Sequence, residues 1–186
     1  MSAALLFENA RVIDGTGAAP FQSSVLVEGD RIAALGADAL ARVAHLQHAQ
    51  RRDLQGQTLM PGLIDAHCHL SFDDAASNPE IFHQRRNALS ALVAAYNARK
   101  LLRAGVTGLL DPDSVFENMV DVRDAAEAGI IQAPRIACGC YAIITAVGGT
   151  AGRLIADTGI TGYYKSVQGR DEIIAEVRRQ VKVGAD

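Results

Sequence analysis

Past Pro61 the chain alternates between short apolar runs and longer amphipathic stretches, and that order constrains the fold more than any single motif. "LIDAHCH" (63–69) is apolar with little in–out alternation, as expected of a strand buried on both faces. Asn78 can cap a helix with Pro79 at its first position, running through "EIFHQRRNALSALVAAYNARKLLRA" to a stop at Gly105. "VTGLL" (106–110) is a second strand, closed by Asp111-Pro112. Ser114 is placed to cap a second helix, "VFENMVDVRDAAEA", that ends at Gly129. "RIACGCYAIIT" (135–145) reads as a third strand, followed by the glycine-rich loop "AVGGTAG". A third helix fits "RDEIIAEVRRQVKVG" (170–184), with Ile173, Ile174, Val177 and Val181 on one face. Strand–helix alternation of this kind implies parallel strands with right-handed crossovers. A closed eight-unit barrel takes roughly 250 residues, so three units make less than half of one; a small open doubly wound sheet is the alternative.

The first 60 residues are different. "ALLFENARVID" (4–14) is β-prone, "GTGAAP" is a loop, and "SSVLVEGDRIAALG" (23–36) is two strands turning at Glu28-Gly29-Asp30. Residues 37–52 are ambiguous. "RDLQGQTLMPG" (52–62) reads as another hairpin leading to a turn at Pro61-Gly62. The division expected is 1–60 and 61–186.

His67 and His69 carry the chemistry. On a strand, residues i and i+2 share a face about 6–7 Å apart, so both imidazoles can reach one ion, each nitrogen about 2.0–2.1 Å from a zinc. Cys68 then points the other way as a small apolar residue. The position fits too, because active sites in such folds lie at the C-terminal ends of strands. An isolated His-x-His is equally two polar residues at a strand end. Here Pro61-Gly62 fixes the entry and a helical region follows, which turns the reading towards a metal pair.

Composition narrows the class. Net charge is −3 and the pI about 5.9, which gives no reason to expect a nucleic-acid or membrane surface. Cys68, Cys138 and Cys140 are an odd count without framework spacing, arguing for reduced thiols in the cytoplasm. "MSAALLFENARVID" lacks the basic start of a signal peptide.

"LMPGLIDAHCHL" (59–70) resembles the metal-site element of the amidohydrolase superfamily, metal-dependent hydrolases on a (β/α)8 barrel. "ARVIDGTG", "SVLVEGDRIAALG" and "DLQGQTLMPG" resemble the first half of the small β-sandwich domain these enzymes carry. "LLRAGVTGLLDP" resembles the segment around the second barrel strand and "ITAVGG" the end of the third. The branch most similar is the imidazolonepropionase-like and Xaa-Pro dipeptidase-like one. The fold implied is α/β: the first three βα units of a (β/α)8 TIM-like barrel, preceded by part of a small β-sandwich. The resemblance implies one or two divalent metals in the complete enzyme, zinc foremost, of which His67 and His69 bind the more buried, and which activate water to hydrolyse a C–N bond in an amide, cyclic amide or dipeptide. It also implies a carboxylated lysine on strand four, histidines on strands five and six, and an acid/base aspartate on strand eight, all beyond residue 186. The partners implied are the C-terminal half of the barrel, as a separate chain or missing segment, a small-molecule substrate, and further copies in an oligomer. A truncated or degenerate chain with a structural or binding role is the alternative.

Other residues are weighed beside these. Tyr163 and Tyr164, in the loop after strand three, are candidates for the substrate mouth, since loops on that side carry function. Thr150 follows Gly148-Gly149 where this branch often has a histidine, and is the substrate-contact candidate there. Lys165 and Lys182 read as solvated lysines, in a loop and on the third helix. Asp111 can cap the turn after its strand, and Asp65 can anchor hydrogen bonds near His67.

Overall fold

The computed structural model describes residues 4–73, 75–77, 79–145 and 162–186. The chain divides into two compact units, Met1–Pro61 and Gly62–Asp186; no helix among the described residues is long and apolar enough to cross a membrane.

The first unit is a five-stranded sheet with one helix. Strands β1 (Ala4–Val12), β2 (Phe21–Glu28) and β3 (Arg31–Leu35) run antiparallel in succession, and β2 and β3 meet in a two-residue turn at Gly29-Asp30, where Gly29 takes the positive φ that such turns require. Helix α1 (Gly36–Val43) follows. The hairpin expected over 52–62 does not form. Instead β4 (Gln50–Asp53) and β5 (Thr58–Leu59) both run parallel to β1, pairing Leu5 with Gln50 and Arg11 with Thr58. Both therefore lie along β1, separated by a bulge. The pairing with β2 slips between Phe7 and Ala10, and Asn9 takes φ 53°. The Asn9 side-chain amide donates to Asp53, and the Gly56 N–H donates to the Asn9 carbonyl, filling the notch with the 53–57 turn. The bulge also resets the alternation. Leu6 packs with Leu26, Ala39 and Val43, whereas Ala10 and Val12 join Phe7 and Val25 in a second cluster.

The second unit contains a parallel sheet of β6 (Leu63–Asp65), β7 (Val106–Asp111) and β8 (Arg135–Cys138), in that order. Helices α2 (Asn87–Arg103) and α3 (Asn118–Glu127) link them, and α4 (Arg170–Val183) comes last. Leu109, Ile136 and Cys138 bury one sheet face with Leu70, Ala94, Ala98, Met119 and Val122. Full burial of a side chain such as Leu70 or Met119 contributes roughly 2 kcal/mol.

Three further expectations are corrected. The first long helix is broken: a π-helical turn, Glu80–Gln84, ends at Arg85, whose extended backbone separates it from α2. Arg85 is buried, donating to the Ser71 carbonyl at 2.8 Å and to Asp73 at 2.7 Å, and these bonds favour the break over a continuous helix. Ser114 does not cap α3; its hydroxyl donates to the Phe116 carbonyl. The third strand is split as well. At Gly139 a side chain would lie 2.0 Å from the Pro112 carbonyl oxygen, and the chain leaves the sheet there. It re-forms as β9 (Ala142–Ile144), parallel to β10 (Tyr164–Ser166). Asn78 lies outside the described residues.

Candidate functional site

The strand expected over 63–69, buried on both faces, ends instead at Asp65 with Leu63 and Ile64 exposed; the segment carrying the two histidines leaves β6 but stays beside β7, because the Cys68 N–H donates to the Leu110 carbonyl at 3.0 Å. The His67 N–H donates to the Asp65 carboxylate at 3.2 Å, so Asp65 anchors the bend. Cys68 packs against the apolar core, and burial pushes its thiol up to about 12, leaving it unreactive at neutral pH. His67 is exposed and His69 partly buried, their rings 5.1 Å apart between centroids and nearly perpendicular.

His69 is held from three sides. Its Nδ1 lies 3.0 Å from the Asp113 main-chain carbonyl and 3.4 Å from the Asp113 carboxylate. A carbonyl can only accept, so Nδ1 carries a proton, and in the neutral ring Nε2 is the nitrogen with the lone pair. Phe72 stacks on the imidazole at 4.7 Å between centroids, 20° from parallel. Asp111, fully buried, accepts the Leu70 N–H through Oδ2 at 2.8 Å, and its Oδ1 lies 3.9 Å from His69 Nδ1. Asp111 thus ties down the loop after the preceding strand as well as closing its own. Burial raises its pKa to about 7, against the Leu70 amide and nearby His69, which pull it down.

The residues fit part of a metal site. Two nitrogens each about 2 Å from one ion are at most about 4 Å apart, a separation that rings 5.1 Å apart can meet. A ligating imidazole usually donates its other N–H to a carbonyl or carboxylate, as His69 does. Among the described residues no group of three or more His, Cys, Asp or Glu side chains is arranged to hold a metal.

The other candidates divide. Tyr163 is buried against Phe72 and Phe82, with ring centroids 5.8 and 4.6 Å away. Burial raises its phenol pKa, and Asp113 beside it adds to the rise. Tyr164 and Lys165 stand in β10 rather than in a loop, with Tyr164 buried and the Lys165 ammonium 4.6 Å from the Tyr141 ring centre. Lys182 is exposed on α4. Thr150 lies outside the described residues. Phe72, Asn97 and Asp113 were missed in the sequence. Only Asn97 carried a local signal, a polar residue beside Ala94 and Ala98 on the buried stripe of α2.

A parallel sheet with flanking helices, and paired imidazoles just past its first strand, defines the class at the level of fold: an α/β protein. The amidohydrolase family model matches residues 58–186, more than half of the chain, and the chain belongs to that family. It is similar to the N-substituted formamide deformylase of Arthrobacter pascens, 41% identical over 63 residues that make 34% of this chain and 11% of that one. It is also similar to the imidazolonepropionase of Erwinia tasmaniensis, 41% identical over 69 residues, 37% of this chain and 16% of the relative. Among solved structures, a Xaa-Pro dipeptidase with bound methionine shares the fold at a TM-score of 0.81 and 24% identity, over 99% of this chain and 46% of that one. The chain therefore spans less than half the length of these proteins.

Proposed function

We propose that the chain is the N-terminal part of a metal-dependent amidohydrolase cleaving a C–N bond of an amide, cyclic amide or dipeptide, with His67 and His69 as two ligands of a divalent metal, zinc foremost. The observation that carries this reading is the histidine pair just past β6, with the His69 Nδ1 proton committed to a main-chain carbonyl, which leaves Nε2 as the ligating nitrogen of the neutral ring. The names of the relatives favour such a bond: a formamide, an imidazolone ring, a dipeptide ending in proline. A bound metal would supply Lewis acidity, lowering the pKa of water towards neutrality and polarising the scissile carbonyl. The residues of this chain hold and orient. His67 and His69 ligate, Asp113 fixes the tautomer of His69, and Phe72 with its aromatic neighbours shields one side of that ring from water. Tyr163, Tyr164 and Thr150 are the proposed substrate contacts.

In this reading β6, β7 and β8 are the first strands of a (β/α)8 barrel, residues 1–60 are part of a β-sandwich, and the C-terminal half of the barrel completes the site as a separate chain or further segment. Its support is the share of the solved relative that the chain spans. We place the protein in the cytoplasm on its three unpaired cysteines and modest charge, and its exposed Ile64 and Leu110 favour an oligomer.

The test is complementation. The purified chain is mixed with a polypeptide carrying the remaining strands, supplied with zinc, and assayed for hydrolysis of formamides, cyclic amides and Xaa-Pro dipeptides. Metal-dependent turnover that His67→Ala or His69→Ala abolishes is the expected result. A chain that gains neither metal nor activity on mixing, and unfolds cooperatively as a self-sufficient monomer, points instead to the non-catalytic role.

A further inference from the structure

Helix α2 packs Ser90, Ala94 and Ala98 against the rest of its unit, and Asn97 lies on the same stripe, where residues three and four apart share a face. Its side-chain nitrogen stands 2.9 Å from the Leu70 carbonyl and 2.6 Å from the Phe72 carbonyl. Two acceptors around one atom require the two hydrogens of an NH2 group, so these partners settle which way the amide points. The turn that Asn97 grips begins at His69: the Phe72 N–H donates to the His69 carbonyl at 3.2 Å, and the Phe72 ring stacks on the His69 imidazole. One amide thus bridges the two main-chain carbonyls that set where the Phe72 ring can lie.

We propose that Asn97 is a positioning residue for His69. Through the Leu70 and Phe72 carbonyls it holds the turn that keeps Phe72 against the imidazole and Nδ1 against the Asp113 carbonyl. An unheld turn lets Phe72 swing away, and the ring is then free to rotate and exchange its proton between nitrogens. The geometry stands without a metal; the consequence for metal affinity rests on the proposed function above. Outer partners that orient a ligating imidazole typically change metal affinity about 10–100-fold.

Three variants of the full chain test this. Asn97→Asp keeps the shape but sets carboxylate oxygens against two carbonyls. Asn97→Ala removes the donor without adding charge, and carries the test if the aspartate variant does not fold. Val122→Ala, which thins the same buried core but removes no hydrogen bond from this turn, controls for a general loss of stability. Nitrogen-15 NMR of the imidazoles reads the His69 tautomer, and proton shifts of its ring read the Phe72 stack. The wild type is expected to show the Nδ1–H form with ring protons displaced by the aromatic current. Both signatures collapse towards tautomer-averaged, unstacked values in the Asn97 variants and persist in Val122→Ala. Unchanged His69 signals in the Asn97 variants, or equal changes in Val122→Ala, overturn the proposal. Titration with Co(II) runs in parallel. Binding about ten-fold weaker in Asn97→Ala is expected, whereas a wild type that binds no metal undoes the metal reading and leaves the imidazole comparison standing.

Discussion

Gly139 sits where two main chains touch. Its Gly139 N–H donates to the Asp111 carbonyl at 2.8 Å, and the Pro112 carbonyl occupies the space a side chain would need. Neither partner is a flexible side-chain end, so relief requires moving backbone at the C-terminal end of β7, beside Asp111. Gly139→Ala is expected to cost about 3 kcal/mol or more, towards the upper end of overpacking penalties, read as a lower urea midpoint. An unchanged midpoint would show that the approach is looser than drawn. Contacts of this kind explain which part of the site was legible. The histidine pair is visible because both residues stand on one short segment. Asp113 and Arg85 are not, and Asn97 shows only as a polar residue on an apolar stripe, because each acts on a loop reached only through folding, and nothing in their immediate neighbours names that loop.

Among the elements, α2 starts without help. Arg86 stands at its N-cap with no side-chain hydrogen bond to the first turn, and that turn contains no acidic residue. Arg86→Asp supplies both a capping acceptor and a charge that suits the helix dipole, and should stabilise the unit by about 1 kcal/mol. A thermal midpoint that fails to rise would count against it. At α4, Glu176 binds Arg179 and Gln180, while Arg179 also binds Glu117. The Arg179 hydrogen bond, then that of Gln180, holds the Glu176 carboxyl below its usual value of 4.5. A depressed carboxylate stabilises the fold above its unfolded pKa and loses that contribution as pH falls through the folded one. Arg179 is partly exposed, so solvent screening limits the pair to about 1 kcal/mol. Glu176→Gln should therefore cost that much at pH 7, with the gap closing as pH falls below 4.5 in urea melts; a gap independent of pH would assign the loss to packing. Element boundaries were legible where local chemistry decides, as at Gly29-Asp30. They were not where a distant partner decides: Arg85 breaks a helix to reach Ser71 and Asp73, and β4 and β5 each choose β1 over each other.

For the molecule as a whole, the exposed face of the parallel sheet matters most. Ile64 lies beside Gly108, and Leu110 beside Ala137, on the side opposite the core. Ile64 is 71% exposed and Leu110 39%, although parallel sheets ordinarily have both faces covered. Such a surface invites association. Sedimentation velocity of the chain alone is expected to show concentration-dependent self-association, weakened by Ile64→Thr with Leu110→Thr. If that pair of changes leaves the sedimentation profile untouched, this face is not what associates. The strand–helix order of the second unit was readable because each segment declares its own periodicity. Which sheet face stays bare was not, since alternation alone does not say which side the helices cover.

The sharing of β1 by β4 and β5 has a consequence for how the first unit comes into being. As the nascent polypeptide leaves the ribosome, the three antiparallel strands can assemble from near neighbours, but Leu5 and Arg11 must wait for Gln50 and Thr58. Closing so wide a loop is slow relative to a hairpin. The order of synthesis thus becomes an order of assembly, with the flank of β1 beside Asn9 zipped last.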